Sequence, residues 1–598
     1  MRSRVLRAIR TAILASAALL GCVSFSWAQS ATTGALTGTV TDEKGAVAPA
    51  VTVTLTNTAT GQMQTTMTNG SGLFGFSLLP PGTYEVSFTA RGFKTAVAMP
   101  VIVNVSEAPT LNAQLEAGSS DERGPCQCQL LQTASSSSGT LVDSKTITAV
   151  PLTTRNFTQV MSMSAGSAAG VNNAALLGTG SQSSNVNGNT AAGTFTIDGA
   201  AAANTVPNPD TISEFKIQTS QYDAGYGALV PDTNLITRSG ENDFHGTLWE
   251  FVRNDAFNAN SFFQNANGQP KPNLKQNQFG GTIGGPVKKD KLFFFGSYQG
   301  TRQVDGLDPS SLATMTLPAL TNDRSASTVG AEFCPTNHGA AVNNPFNTFA
   351  GGPTGLGMQV ACNGSNINPV ALNLLQAKLP NGSYVIPTPQ NIIPISSNGF
   401  NYNLGQSSFS LPSTYNEDQF VGNLDYVISK KHSLSGRFYF ANDDTFRSLG
   451  ANIFASAATP NVPGFPQDSP ARDYMTSGKL TSVLTNNLVN ELRMTYTRTS
   501  STATGPNDLT TASIHMVSVD PLLPIMPDIT IQGSLGGFRI GNAQNQSASD
   551  NNTWQWADNV SWIHGKHTIR TGFGWRRLSD GFVRPTAEPK KIQGGLGI

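Results

Sequence analysis

Residues 420–440 read FVGNLDYVISKKHSLSGRFYF, and their alternation decides the fold. Phe420, Gly422, Leu424, Tyr426 and Ile428 fall on one face of an extended chain, with Val421, Asn423 and Asp425 on the other. A short turn follows at 429–432. Leu434, Gly436, Phe438 and Phe440 then alternate with Ser435, Arg437 and Tyr439. Successive strand residues point to opposite sides, so this is a hairpin with one apolar and one polar face. The pattern returns at 488–496, where Leu488, Leu492, Met494 and Tyr496 oppose Glu491 and Arg493. It returns again around His564-Gly565-Lys566-His567, with Val560 and Trp562 before the turn and Ile569, Phe573 and Trp575 after it. In a membrane barrel the apolar face meets lipid and the polar face lines the lumen. Trp554, Trp556, Trp562 and Trp575 suit interfacial girdles.

Loop lengths add direction. Short turns at 429–432, 485–487 and 564–567 alternate with long excursions at about 303–416, 444–470 and 499–551. Outer-membrane barrels keep short turns in the periplasm and long loops outside. A soluble sandwich explains the alternation but not this asymmetry. After the N-terminus no stretch supplies about 18 consecutive apolar residues, so a spanning chain must use strands.

Composition agrees. The 598 residues allow roughly three to four average domains. Charged residues are 12% of the chain, against roughly 25% in ordinary soluble proteins. The 37 basic and 37 acidic residues cancel, which argues against a nucleic-acid partner and against charge-extended disorder. A soluble cytoplasmic enzyme fits poorly.

The first 28 residues read as an export signal. Arg2, Arg4, Arg7 and Arg10 precede the apolar stretch 11–20, and Ser26-Trp27-Ala28 ends in a small residue before Gln29. The alternative is lipidation at Cys22, after Leu19-Leu20-Gly21. Export suits disulfides, and Cys334 and Cys362 could close a loop in one long polar region. Cys126 and Cys128 read as two linker thiols with no partner.

Three folded regions follow. Residues 33–116 form a β-sandwich, with alternation at Val51–Leu55 and Tyr84–Phe88 and turns at Lys44-Gly45, Asn69-Gly70 and Pro81-Gly82. Gly70–Gly75 matches G-x-G-x-x-G, but a strand follows it and not a helix, so a dinucleotide site is rejected. Residues 117–140 are a polar, Ser-rich linker. Residues 141–240 are a small α+β unit with a short helix across Arg155–Met163, and 241–598 carry the barrel strands.

Two resemblances attach to these motifs. The first region carries Gly38-x-Val40-x-Asp42, Gly72-x-Phe74-x-Phe76, Leu79-Pro80-Pro81-Gly82-x-Tyr84-x-Val86 and Gly92-Phe93. It resembles the carboxypeptidase-regulatory-like domain, a transthyretin-like sandwich of carbohydrate-binding-like architecture. The second carries Arg155-Asn156-Phe157, Thr196-Ile197-Asp198-Gly199, Ile212-x-Glu214-Phe215 and Thr237-Arg238-Ser239-Gly240, with Phe244-His245-Gly246 and Arg253-Asn254-Asp255-Ala256 after them. It resembles the plug of TonB-dependent outer-membrane receptors. Gly227–Asp232 departs from the family's smoother, glycine-rich strand.

The resemblance implies a mainly β receptor of the outer membrane: sandwich, plug, then an incomplete antiparallel barrel. It implies uptake of an unidentified solute, a carbohydrate or an organic polymer, powered by an inner-membrane TonB-type complex. Outer-membrane lipid would surround the strands. Surface adhesion, or a non-functional truncated receptor, is the alternative. About nine candidate strands follow residue 244, against 22 in transporters of this class, and no aromatic residue ends the chain. The expectation is the N-terminal portion of a longer receptor.

No motif for catalysis is present: no H-E-x-x-H, Walker-type loop or G-x-S-x-G elbow. Neither a cofactor nor a metal site is expected. His564 and His567 read as turn residues, since two histidines without further ligands make a poor metal site. Asp198 reads as a turn aspartate and Glu214 as a surface glutamate, not an acid/base pair. Gly280–Pro286 reads as a hairpin with close backbone packing.

Overall fold

The computed structural model describes residues 32–595, except 132–137, 151, 153, 163, 170–176, 179–183, 187–194, 203–205, 221–232, 261, 267–269, 308–310, 335–359, 398–399, 451–459, 506–508, 517–525, 534–535, 542–546, 566 and 584–591. The export signal, Cys22 and Gly227–Asp232 lie outside the described residues.

The sandwich comprises β1 (Gly34–Asp42), β2 (Thr52–Asn57), β3 (Met63–Met67), β4 (Leu73–Leu79), β5 (Gly82–Thr89), β6 (Thr95–Val103), β7 (Thr110–Leu115), β8 (Arg123–Pro125) and β9 (Gln127–Leu131). They form two sheets, ordered β4-β1-β7-β9 and β3-β2-β5-β6-β8. Alternation points Val51, Val53, Leu55, Val86 and Phe88 into one core. The motif residues have local reasons. Asp42 accepts hydrogen bonds from the Lys44 and Ala46 amides and closes the first turn. Tyr84 donates to the Pro80 carbonyl at 2.6 Å, and burial pushes its phenol up. A Cβ on Gly38 would stand 1.9 Å from the Leu111 carbonyl, so only glycine lets β1 approach β7.

Two expectations change here. Residues 117–140 are not only a linker: β9 pairs with β7 and β8 with β6. Each covers a strand edge that would otherwise be open. Cys126 and Cys128 are not free thiols; they are bridged and packed against the sandwich core.

The α+β unit, read from its motifs as a plug, comprises β10 (Ser138–Asp143), α1 (Ser144–Ala149), α2 (Thr158–Met161), β11 (Ser167–Ala169), β12 (Ser184–Val186), β13 (Phe195–Ile197), β14 (Ala200–Ala201), β15 (Ile212–Ser220) and β16 (Thr233–Thr237). Its main sheet runs β10-β15-β16-β13-β14. Asp143 caps α1 by accepting from the Thr146 amide. The expected helix over Arg155–Met163 shrinks to α2. Arg155 sits at φ 50°, and the Asn156 side chain accepts from the Thr158 amide, so the helix starts only beyond them.

The wall is one antiparallel sheet. Its path runs through β17 (His245–Asn254), β18 (Leu274–Lys288), β19 (Leu292–Asp305), β23 (Ser413–Val427), β24 (His432–Arg447), β26 (Ala471–Thr485), β27 (Leu488–Ala503), β30 (Ser547–His564) and β31 (His567–Val583), in that order. The short strand β25 (Gln467–Asp468) pairs with β24. Among the described residues β17 and β31 do not pair with each other, so the sheet is open. Gly280–Pro286 is not a hairpin. It is the middle of β18, and its glycines admit the side chains of β17: a Cβ on Gly280 would stand 2.7 Å from the Trp249 ring.

The long excursions fold together. β20 (Leu312–Pro318), β21 (Asn391–Ser397) and β22 (Phe400–Ser410) form one sheet; β28 (Ile529–Gly533), β29 (Gly536–Ile540) and β32 (Ile592–Gly595) form another. Met315, Leu317, Val385, Val462, Phe465, Met526 and Phe538 share one buried core between them. Cys334 and Cys362 are bridged in this outer unit.

Candidate functional site

The sheet has two chemically different faces. Phe420, Leu424, Leu434, Phe438, Leu492, Met494 and Trp562 point outward and are exposed. Rings at one height touch from strand to strand: Phe279 with Tyr298, Tyr298 with Phe420, Phe420 with Phe440, and Phe440 with Tyr474. Tyr496 and Trp554 continue the belt on β27 and β30. Ionic and polar pairs stand just beyond it, among them Arg302–Asp418 and Arg498–Asp550. Trp562 lies eight residues from Trp554, about 27 Å along the strand. At the usual strand tilt of about 40° this is about 21 Å of height, close to the apolar band of about 25 Å between two aromatic girdles.

The inner face holds the plug. Val421, Tyr439, Ala441 and Met475 of the wall share one core with Phe157, Phe195, Ile197, Ile212, Phe215 and Ile217 of the plug. The rest of the seat is polar, and much of it is glutamine. Gln419 accepts from the Asn208 amide at 2.7 Å and donates to the Val206 carbonyl at 2.7 Å. Gln555 bonds both the amide and the carbonyl of Ala201. Gln299 accepts from the Arg155 guanidinium and Gln303 from the Gly178 amide. The neutral bonds among these are worth about 1 kcal/mol net each, and the charge-assisted Arg155–Gln299 bond about 1.5–3 kcal/mol. This seat holds the backbone of the unit at Ala201, Val206 and Asn208 through side-chain amides of the wall.

Two charged clamps punctuate it. Arg155 pairs with Asp210 and lies over the rings of Trp249 and Phe251, 5.2 and 4.4 Å from their centres. Burial pulls its guanidinium pKa down, and Asp210 opposes this. The second clamp holds the Asp198-Gly199 turn. Asp198 sits at φ 48° and accepts from the amide and hydroxyl of Thr237. Arg437 of β24 reaches Asp198 at 3.7 Å, Asp425 at 3.0 Å and the Ser239 hydroxyl at 3.0 Å. A Cβ on Gly199 would stand 2.0 Å from Arg493, so glycine lets that arginine reach the Asp198 carbonyl.

The motif residues therefore gather by role. Phe157, Ile197 and Phe215 are plug core; Arg155, Asp198 and Gly199 meet the wall; Asn156 starts α2. Glu214 is not a surface glutamate. It is buried and accepts from the Val105 amide of the sandwich at 2.7 Å. Burial raises its pKa to about 7, with Glu107 and Asp143 adding and the Val105 bond and Lys216 opposing. Asp198 and Glu214 serve different contacts and form no dyad. His564 and His567 face each other as the first pair of the β30–β31 hairpin. The glutamines escaped the sequence reading; their signal was polar residues alternating with outward aromatics, as at Gln299 beside Tyr298 and Gln419 beside Phe420.

Comparison with known proteins fits this geometry. Residues 236–596 match the outer membrane beta barrel domain, and residues 35–116 the carboxypeptidase regulatory-like domain. The TonB-dependent transporter Oar of Myxococcus xanthus is 29% identical over 334 residues, covering 51% of this chain and 30% of that protein. Among solved structures, the outer membrane transporter YddB of Escherichia coli aligns with TM-score 0.40 and 8% identity, over 74% of this chain and 48% of that one. The ferric enterobactin receptor PfeA of Pseudomonas aeruginosa aligns with TM-score 0.38 and 11% identity, over 75% and 50%. The chain thus spans about half the length of these structures and less of the curated relative. The two-faced sheet and the matched domains give one conclusion: the chain belongs to the outer membrane β-barrel family and carries a carboxypeptidase regulatory-like domain.

Proposed function

We propose that this chain supplies the sandwich, plug and part of the barrel wall of an importer powered by an inner-membrane TonB-type complex. The observation that carries the reading is the plug seat: a small shared apolar contact ringed by water-replaceable amide bonds and two ionic clamps. Such a seat closes a lumen at rest and yields to a directed pull. The proposed cargo is a carbohydrate or another polar organic polymer. Exposed amides at Asn381, Gln390, Asn391 and Asn403 in the outer unit offer the hydrogen-bonding chemistry that sugars use. The chain's part in this cycle is to bind, close and open; it is not proposed to catalyse a reaction.

The test is uptake in the native host of fluorescein-labelled maltodextrin, xylan and pectin oligosaccharides. Deleting the receptor gene, or adding a protonophore, is expected to abolish uptake of at least one probe. Uptake that survives both treatments overturns the reading. The folded outer unit, with its own apolar core, favours adhesion as a second reading. Adhesion predicts lost attachment in the deletion strain, with no protonophore effect.

A further inference from the structure

The sandwich is not tethered loosely in front of the plug; it is seated on plug and wall at three places. First, its 104–107 loop meets β15. The Val105 amide donates to Glu214, and Lys216 donates to the Ser106 carbonyl at 3.2 Å with Glu107 4.0 Å away. Second, its 57–61 loop meets the joint between plug and wall. The Asn242 amide donates to the Ala59 carbonyl at 2.9 Å, and the Asn242 side chain exchanges two bonds with Asp290 in the β18–β19 turn. Third, Asn69 donates to the Gly565 carbonyl in the β30–β31 turn at 3.1 Å. The contacted turns close the first and last hairpins that follow β17, so the sandwich reaches across the sheet. Beneath it lies a polar cavity of about 510 Å³, shared by sandwich, plug and wall, with Asp198 and Arg437 in its lining.

We propose that the sandwich is a periplasmic cap that latches the plug, and that it must lift from the Ala59–Asn242 and Val105–Glu214 contacts before the plug can leave its seat. The plug's β15 and β16 lie between cap and wall, so displacing them breaks the cap contacts too. The cavity is then the space through which a solute would leave. This purpose rests on the proposed import role. The latch itself does not, because it is measurable without a solute.

The experiment is hydrogen exchange by mass spectrometry on the complete protein in detergent micelles. Gly61 sits at φ +70°, and a Cβ there would stand 2.5 Å from the Asp290 carboxylate. Gly61→Asp tolerates that backbone better than most residues and repels Asp290. It is expected to speed exchange at 212–220 and 233–237 at least tenfold, with β2 and β5 unchanged. Gly61→Asp with Asp290→Asn, which removes the like charge, keeps an acceptor for Asn242 and suits the φ of 58° at that position, is expected to restore protection. Faster exchange confined to 57–61, with the plug still protected, overturns the latch. Should β2 and β5 also lose protection, Ala59→Cys with Asn242→Cys decides. A disulfide pinning the cap is expected to slow plug exchange below that of the unsubstituted protein, and unchanged exchange overturns the proposal.

Discussion

The sandwich and the plug are both small β units, but they complete their cores differently. The sandwich closes its core with its own residues, from Leu36 to Leu115. The plug core is finished by Val421, Tyr439, Ala441 and Met475, which belong to the wall. One unit is self-sufficient; the other reaches full burial only when seated. In the importer proposed above, this difference would let the plug be stable at rest and still removable. Its apolar contact with the wall is limited to a few side chains, and most of its remaining attachments are bonds that water can substitute.

The strongest attempt to break the comparison is excision. Residues 32–131 alone are expected to unfold in one cooperative calorimetric transition. Residues 138–240 alone are expected to show no such transition and poorly dispersed amide resonances. An autonomously folding plug would remove the distinction.

Core truncation comes next. Phe88→Ala is expected to cost the sandwich about 3–5 kcal/mol, and Phe215→Ala the plug a similar amount. Both rings are fully buried. Hydrogen exchange should localise the first loss to the sandwich and the second to the plug, with wall strands unaffected by either.

A smaller effect is expected from Arg437→Ala. It leaves the half-buried Asp198 and Asp425 without their shared cation, a loss of about 2 kcal/mol once partial solvent screening is allowed for. Exchange in β13 and β16 should rise while β2 and β5 stay protected. Equal loosening of both units would show that the clamp is not specific to the plug.

An effect of similar size depends on pH. The Glu214 pKa is about 7 when docked, against 4.5 for the free group, so docking retains a proton. Its contribution is full below pH 4.5 and is lost as pH rises through 7, on the order of 2–3 kcal/mol. Plug protection factors, taken relative to the base-catalysed intrinsic exchange rate at each pH, should therefore be higher at pH 5.5 than at pH 8. Glu214→Gln should flatten that difference while keeping an acceptor for Val105.

Much of this architecture was legible in the sequence because strand alternation is a local signal. The hairpin at 420–440 declared its two faces, and the turns at 429–432, 485–487 and 564–567 agree with the strand ends. The motif phrases pointed to the plug for equally local reasons: Asn156 starts α2 and Asp198-Gly199 makes a tight turn. What stayed hidden was pairing over long range. Nothing near Glu214 announces that Val105, 109 residues earlier, donates to it. Strands β8 and β9 are too short and polar to stand out until the edges of β6 and β7 need covering. The glycines of β18 looked like a turn because the side chains of β17 that they admit lie on another strand.

The central claim is that the sheet spans the outer membrane with the long excursions outside and the cap in the periplasm. Two single substitutions at exposed positions test it most directly: Thr314→Cys in the outer unit and Lys44→Cys in the cap. Intact cells of the native host are treated with a membrane-impermeant maleimide. The account predicts that the Thr314→Cys protein labels at once, whereas the Lys44→Cys protein labels only after the outer membrane is permeabilised. Equal labelling of both in intact cells, or recovery of the protein outside the outer-membrane fraction, would contradict it.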